Sequence, residues 1–79
     1  MKQDPERPSS REVVSIQVNG EARLVPVGSS VADLLHQLDL HPGMVVVELN
    51  REILPREGLA DAAIGEGDRI ELVHFVGGG

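Results

Sequence analysis

The sequence predicts an α+β domain, a mixed sheet of four to five strands packed on one helix. Three observations predict it. Two stretches of alternating apolar and polar residues flank Asn19-Gly20, a single apolar stripe at helical spacing follows them, and β-branched runs resume afterwards and end at 69–76. A chain of 79 residues allows one domain with a thin core.

The elements follow in order. Val14, Ile16 and Val18 alternate with Ser15 and Gln17, the period-two pattern of a half-buried strand. Asn19-Gly20 is a strong hairpin signal, because both turn residues tolerate positive φ. Ala22 and Leu24 alternate with Glu21 and Arg23 on the return, so 12–25 reads as a hairpin with Ala22 and Leu24 as its apolar side. Ser30 then opens a helix as N-cap, with Asp33 completing a capping box. Val31, Leu34, Leu35 and Leu38 form one stripe, and Pro42-Gly43 ends the segment. The apolar run 44–50 is a strand with Val45, Val47 and Leu49 inward and Met44, Val46 and Glu48 on the opposite face. Residues 52–54 add a short edge strand, 55–63 a loop with a helical turn, and 65–68 a tight connector into the last strand. A right-handed crossover sets that strand beside the first.

Composition excludes several classes of function. With no cysteine, the chain offers no disulfide, thiolate nucleophile or cysteine-ligated metal, and it suits a reducing, cytoplasmic setting. The formal charge is −6, Lys2 is the only lysine and Phe75 the only aromatic residue. Nucleic acid is therefore not an expected partner, whereas a protein with a basic face is. No apolar run approaches the length of a membrane span. Residues 1–11 carry two prolines and mixed charge without an apolar stretch, and read as a disordered leader rather than a secretory signal. The expected organisation is a leader over 1–11, a domain over 12–76 and a flexible glycine tail over 77–79.

Gly77-Gly78-Gly79 follow directly on the last strand. A tail without Cβ atoms can thread a channel too narrow for side chains, which would make the carboxylate of Gly79 the working group. The same glycines suit a frayed end or linker remnant, and the tail alone does not decide between them. They lack the lysine and following helix of a phosphate-binding loop. No catalytic acid, base or nucleotide site is visible in the chain.

Strand parity marks a second candidate. With Ile70 and Leu72 toward the helix, Val73 and Phe75 project from the other face, beside Val46 on the neighbouring strand. Glu48, Glu71 and Glu66 would add negative charge around this patch. The competing reading turns Phe75 into the core through a bulge and leaves the glutamates as ordinary solvated residues. Asp33 and His36 share a helix face but have no defined third ligand, so no metal is expected. His41 falls in a loop, and His74 shares parity with Ile70 and Leu72 at the core's edge.

The strand–Asn19-Gly20–strand opening, Ser30-Val31-Ala32-Asp33-Leu34-Leu35, Val47-Glu48-Leu49-Asn50, Leu54-Pro55-Arg56, Gly67-Asp68 and Phe75-Val76-Gly77-Gly78-Gly79 together resemble the sulfur carriers of thiazole (thiamine) biosynthesis, the ThiS family. The resemblance runs from Val14 to Gly79 and implies a ubiquitin-like β-grasp fold. It implies a carrier rather than an enzyme, binding no cofactor itself. An E1-like adenylating enzyme would use ATP to activate the Gly79 carboxylate, with Gly77 and Gly78 threading its active site. Sulfur from a cysteine desulfurase or persulfide protein would then give a thiocarboxylate, which thiazole synthase consumes. Val46, Val73, Phe75, Glu48 and Glu71 are the partner-binding residues expected. Alternatives within the fold are the small subunit of molybdopterin synthase, a protein modifier conjugated through Gly79, and a plain interaction domain. Many relatives carry Asn-Gly where this chain has Asn50-Arg51, which leaves the type of that turn open, and the leader is longer than is usual.

Overall fold

The computed structural model describes residues 12–75; the leader 1–11, Val76 and the glycine tail 77–79 lie outside the described residues. Strands β1 (Val13–Val18) and β2 (Glu21–Pro26) form the predicted hairpin, and helix α1 (Val31–Gln37) follows. After a 3₁₀ turn over Pro42–Met44 come β3 (Val45–Leu49) and β4 (Glu52–Leu54), a 3₁₀ segment over Arg56–Asp61, and β5 (Arg69–His74). The sheet order is β2-β1-β5-β3-β4, so the last strand lies in the centre, parallel to β1 and antiparallel to β3. The last strand lies beside the first, as expected.

Local chemistry accounts for each junction. Asn19 and Gly20 have φ of 51° and 85°, the pair of left-handed residues that a tight hairpin twisting with its strands needs. Ser30 accepts Asp33 N–H at 3.1 Å while the Asp33 carboxylate accepts Ser30 N–H at 2.9 Å, the reciprocal cap predicted for α1. The helix stops earlier than Pro42-Gly43. Asp39 takes φ of 62°, its N–H donates to His36 O, and Leu40 N–H donates to Leu35 O at 2.9 Å, which closes the end as a Schellman motif.

Val31, Leu34 and Leu35 of α1 meet Ile16, Val25, Val45, Val47 and Ile70 of the sheet, and Leu59 and Ile64 close the side. Leu38, the last member of the predicted stripe, is half-buried. Backbone bonds from Val31 N–H to Ala62 O and from Ile64 N–H to Ser29 O tie the loop to the start of the helix.

The face of β2 differs from the sequence expectation. Leu24 is 64% exposed whereas Val25 is fully buried. The two-residue turn fixes the register, pairing Val14 with Val25 and Ile16 with Arg23. Paired residues share a face, so β2 turns its odd residues toward the helix. Turn geometry overrides the local apolar alternation. The second hairpin uses the same device: Asn50 and Arg51 have φ of 51° and 76°, so the turn has the Asn-Gly conformation with arginine in the glycine position.

Candidate functional site

β5 is the strand from which the glycine tail follows, and its two faces differ. Ile70 is fully buried and Leu72 half-buried against α1, while Val73 and Phe75 are 59% and 47% exposed on the other side. No bulge turns Phe75 inward. Val46 stands opposite Val73, and Phe75 N–H donates to Met44 O at 2.8 Å, one rung beyond the last residue of β5. The structure thus brings Val46, Val73 and Phe75 together, with Met44 beside them. The helix covers the opposite side of the sheet, and among the described residues no element covers this face.

Glu48 and Glu71 are also directly opposite, next along the same face. Arg51 and Arg69 line a shallow hollow with them. Like charges in register on a sheet disfavour each other, and Arg51 and Arg69 are the basic side chains beside this pair. Glu66 does not join this rim. Its Oε1 accepts Ser15 N–H at 2.9 Å, and Gly67 N–H donates to Ser15 O, so the side chain serves as a rung beside β1 before β5 begins. Ile53, paired with Glu48 and 67% exposed, extends the face in a way the sequence reading missed. The signal was the Asn50-Arg51 turn, which fixes that pairing once it is read as two-residue.

Two asparagines hold β5, one at Arg69 and one at Leu72. Asn19 Oδ1 accepts Leu72 N–H at 2.7 Å and its Nδ2 donates to Leu72 O at 3.2 Å. Asn50 Oδ1 accepts Arg69 N–H at 2.9 Å and its Nδ2 donates to Asp68 Oδ1 at 3.0 Å. The Asn19 amide takes the place of a ladder rung at Leu72 and the Asn50 carbonyl takes the Arg69 N–H, which fixes the register of β5.

The histidines form no common site. His41 Nδ1 accepts Gly43 N–H at 3.0 Å and caps the 3₁₀ turn, while His36 and His74 are exposed. Asp33 is committed to the helix cap. Among the described residues no three His, Cys, Asp or Glu side chains converge as metal ligands. Gly77, Gly78 and Gly79 lie outside the described residues.

The ThiS family model matches residues 11–79. The chain belongs to the ThiS family. It is 37% identical over 65 residues to the sulfur carrier protein ThiS of Bacillus subtilis strain 168, covering 81% of this chain and 98% of that protein. It is 33% identical over 66 residues to the Escherichia coli K12 sulfur carrier protein ThiS, covering 84% of this chain and all of that protein, 100%. A thiazole synthase of Paramagnetospirillum magneticum is 38% identical over 66 residues, 84% of this chain but only 20% of the synthase. The chain therefore spans a fifth of that relative's length. The crystal structure of the thiamine biosynthesis protein ThiS from Geobacter metallireducens superposes with a TM-score of 0.71 at 35% identity, covering 84% of this chain and 100% of that one. Among the described residues, the five-stranded sheet with one α-helix is the β-grasp arrangement of that ThiS structure.

Proposed function

We propose that this chain is the sulfur carrier for thiazole formation in thiamine biosynthesis, working through the carboxylate of Gly79 in the cytoplasm. The observation that carries the reading is the family match, which runs through the glycine tail to residue 79. The names of the Bacillus and Escherichia relatives support the role of sulfur carrier. The thiazole synthases support the choice of acceptor, since a stretch similar to this chain shares one polypeptide with that enzyme.

The chemistry explains why a carrier needs partners. A carboxylate at neutral pH is a poor electrophile. The E1-like adenylating enzyme joins it to the AMP portion of ATP and releases pyrophosphate, giving an acyl adenylate with a good leaving group. A persulfide, from a cysteine desulfurase or a persulfide protein, displaces AMP, and cleavage of the resulting S–S bond by a thiol leaves the thiocarboxylate. Thiazole synthase takes the sulfur and returns the carboxylate. The chain contributes no catalytic group and binds no cofactor; ATP belongs to the activating partner. Gly77 and Gly78 thread the partner's active site, Val46, Val73 and Phe75 make the apolar contact, and Glu48 and Glu71 steer a basic surface toward it.

The test is rescue of a thiamine-requiring strain that lacks its own carrier. The intact chain restores growth, and a chain shortened by Gly78-Gly79 fails while its circular dichroism is unchanged. Rescue by the shortened chain would overturn the reading.

A further inference from the structure

Among the described residues, the sheet leaves one backbone edge open at the end of β5. In β5 alternate residues bond to opposite neighbours. Phe75 N–H donates to Met44 O, so the odd residues serve β3. The even residues serve the β1 side: Asn19 N–H donates to Ile70 O at 2.9 Å, and the Asn19 amide occupies both groups of Leu72. By the same alternation the N–H and C=O of His74 point toward the β1 side. There β1 has already ended, its register with β5 stopping at Val18 and Ile70. Among the described residues none pairs with His74 on that edge. Such groups take a partner or water.

An open groove of about 450 Å³ lies beside this edge, between the hairpin tip and the end of α1. Leu38, Leu40 and Leu72 line it with Arg23 and His74. The three leucines are only half-buried.

We propose that this edge is a strand-addition site. An extended segment of the adenylating enzyme pairs with the His74 backbone and lays one apolar side chain in the groove, over Leu38, Leu40 and Leu72. The proposal rests on the carrier reading above. The chain beyond the described residues argues for this occupant. Residues 76–79 span at most about 14 Å when fully extended, so a protein acting on Gly79 holds its reacting groups within that reach of Phe75. Its surface therefore approaches the end of β5, where His74 lies. The edge is continuous with Val73 and Phe75, so the partner holds β5 by one face and by its free side. Asn19 makes His74 the first open rung and so sets the register.

The test is amide exchange of the ¹⁵N-labelled chain, alone and in complex with its cognate adenylating enzyme and ATP. Samples are quenched and dissociated before NMR reading, and complex formation is checked by co-elution. Val73 and Phe75 amides, bonded to β3, are protected in both states. The His74 amide exchanges freely alone and slows at least tenfold in the complex. Unchanged His74 exchange in a chain that co-elutes with the enzyme overturns the strand-addition proposal and leaves the carrier reading standing. Failure to co-elute overturns the carrier reading, and the proposal with it. As a second measurement, His74→Pro removes a donor that the β3 ladder does not use. It lowers turnover by the adenylating enzyme at least tenfold in a chain that still folds; wild-type turnover would contradict the assignment.

Discussion

Val46 and Val73 stand directly opposite each other on the face of the sheet away from the helix, one rung before Met44 and Phe75. Val73 is 59% exposed, so its side chain contributes little to folding and is available to a partner. Leu24 provides an internal control: it is 64% exposed on the same face, two strands away on β2. Val73→Asp and Leu24→Asp should each cost up to about 1 kcal/mol of stability, as polar replacements in strands do. Only Val73→Asp should lower kcat/KM with the adenylating enzyme, by tenfold or more. Equal effects of the two would remove the patch from the account.

Glu48 and Glu71 face each other in the next register position. Glu48→Gln relieves this opposition and should raise stability by a few tenths of a kcal/mol, within the range for cross-strand pairs. Association with the adenylating enzyme should slow, and its rate should depend less on salt. Stopped-flow binding at two ionic strengths checks this. An unchanged salt dependence would mean that the pair is merely solvated.

The Asn19 carboxamide provides two hydrogen bonds to Leu72 while its backbone sits at φ of 51°. Asn19→Gly keeps the turn conformation and removes only the amide. The expected loss is about 1–2 kcal/mol, since each net hydrogen bond contributes around 1 kcal/mol. For a domain of this size that lowers Tm by roughly 4–8 °C per kcal/mol. A urea midpoint equal to that of the wild type would show that the latch is energetically idle.

Arg51 occupies a left-handed position, φ 76°, at which a side chain is strained. Arg51→Gly should therefore stabilise the chain by about 0.5–1 kcal/mol, offset in part by the entropy glycine adds to the unfolded state. The gain should appear as a higher denaturant midpoint at constant slope. A loss of stability would mean that the Arg51 charge near Glu48 and Glu71 outweighs the backbone strain.

Much of this fold was legible because single residues decide its junctions. Asn19-Gly20 specified the hairpin, and Ser30 with Asp33 specified the helix start. The parity of β3 and β5 placed Val46, Val73 and Phe75 on one face. The reading failed where a turn set register against local pattern, as in β2, whose buried residue is Val25 and not Leu24. It failed again at Asp39, because aspartate in a left-handed cap resembles any helix-surface aspartate in sequence. Glu66 was misplaced for a third reason: its backbone-directed bond to Ser15 joins residues 51 positions apart, and nothing local announces it.

The central claim is that the Gly79 carboxylate is the working group of the molecule. Intact mass of the chain, after incubation with the adenylating enzyme, ATP and a persulfide source, tests it most directly. The account predicts a gain equal to the replacement of one oxygen by one sulfur, located on Gly79 by fragmentation and abolished when the terminus is amidated. An unchanged mass, with an enzyme that activates another carrier under the same conditions, would contradict it.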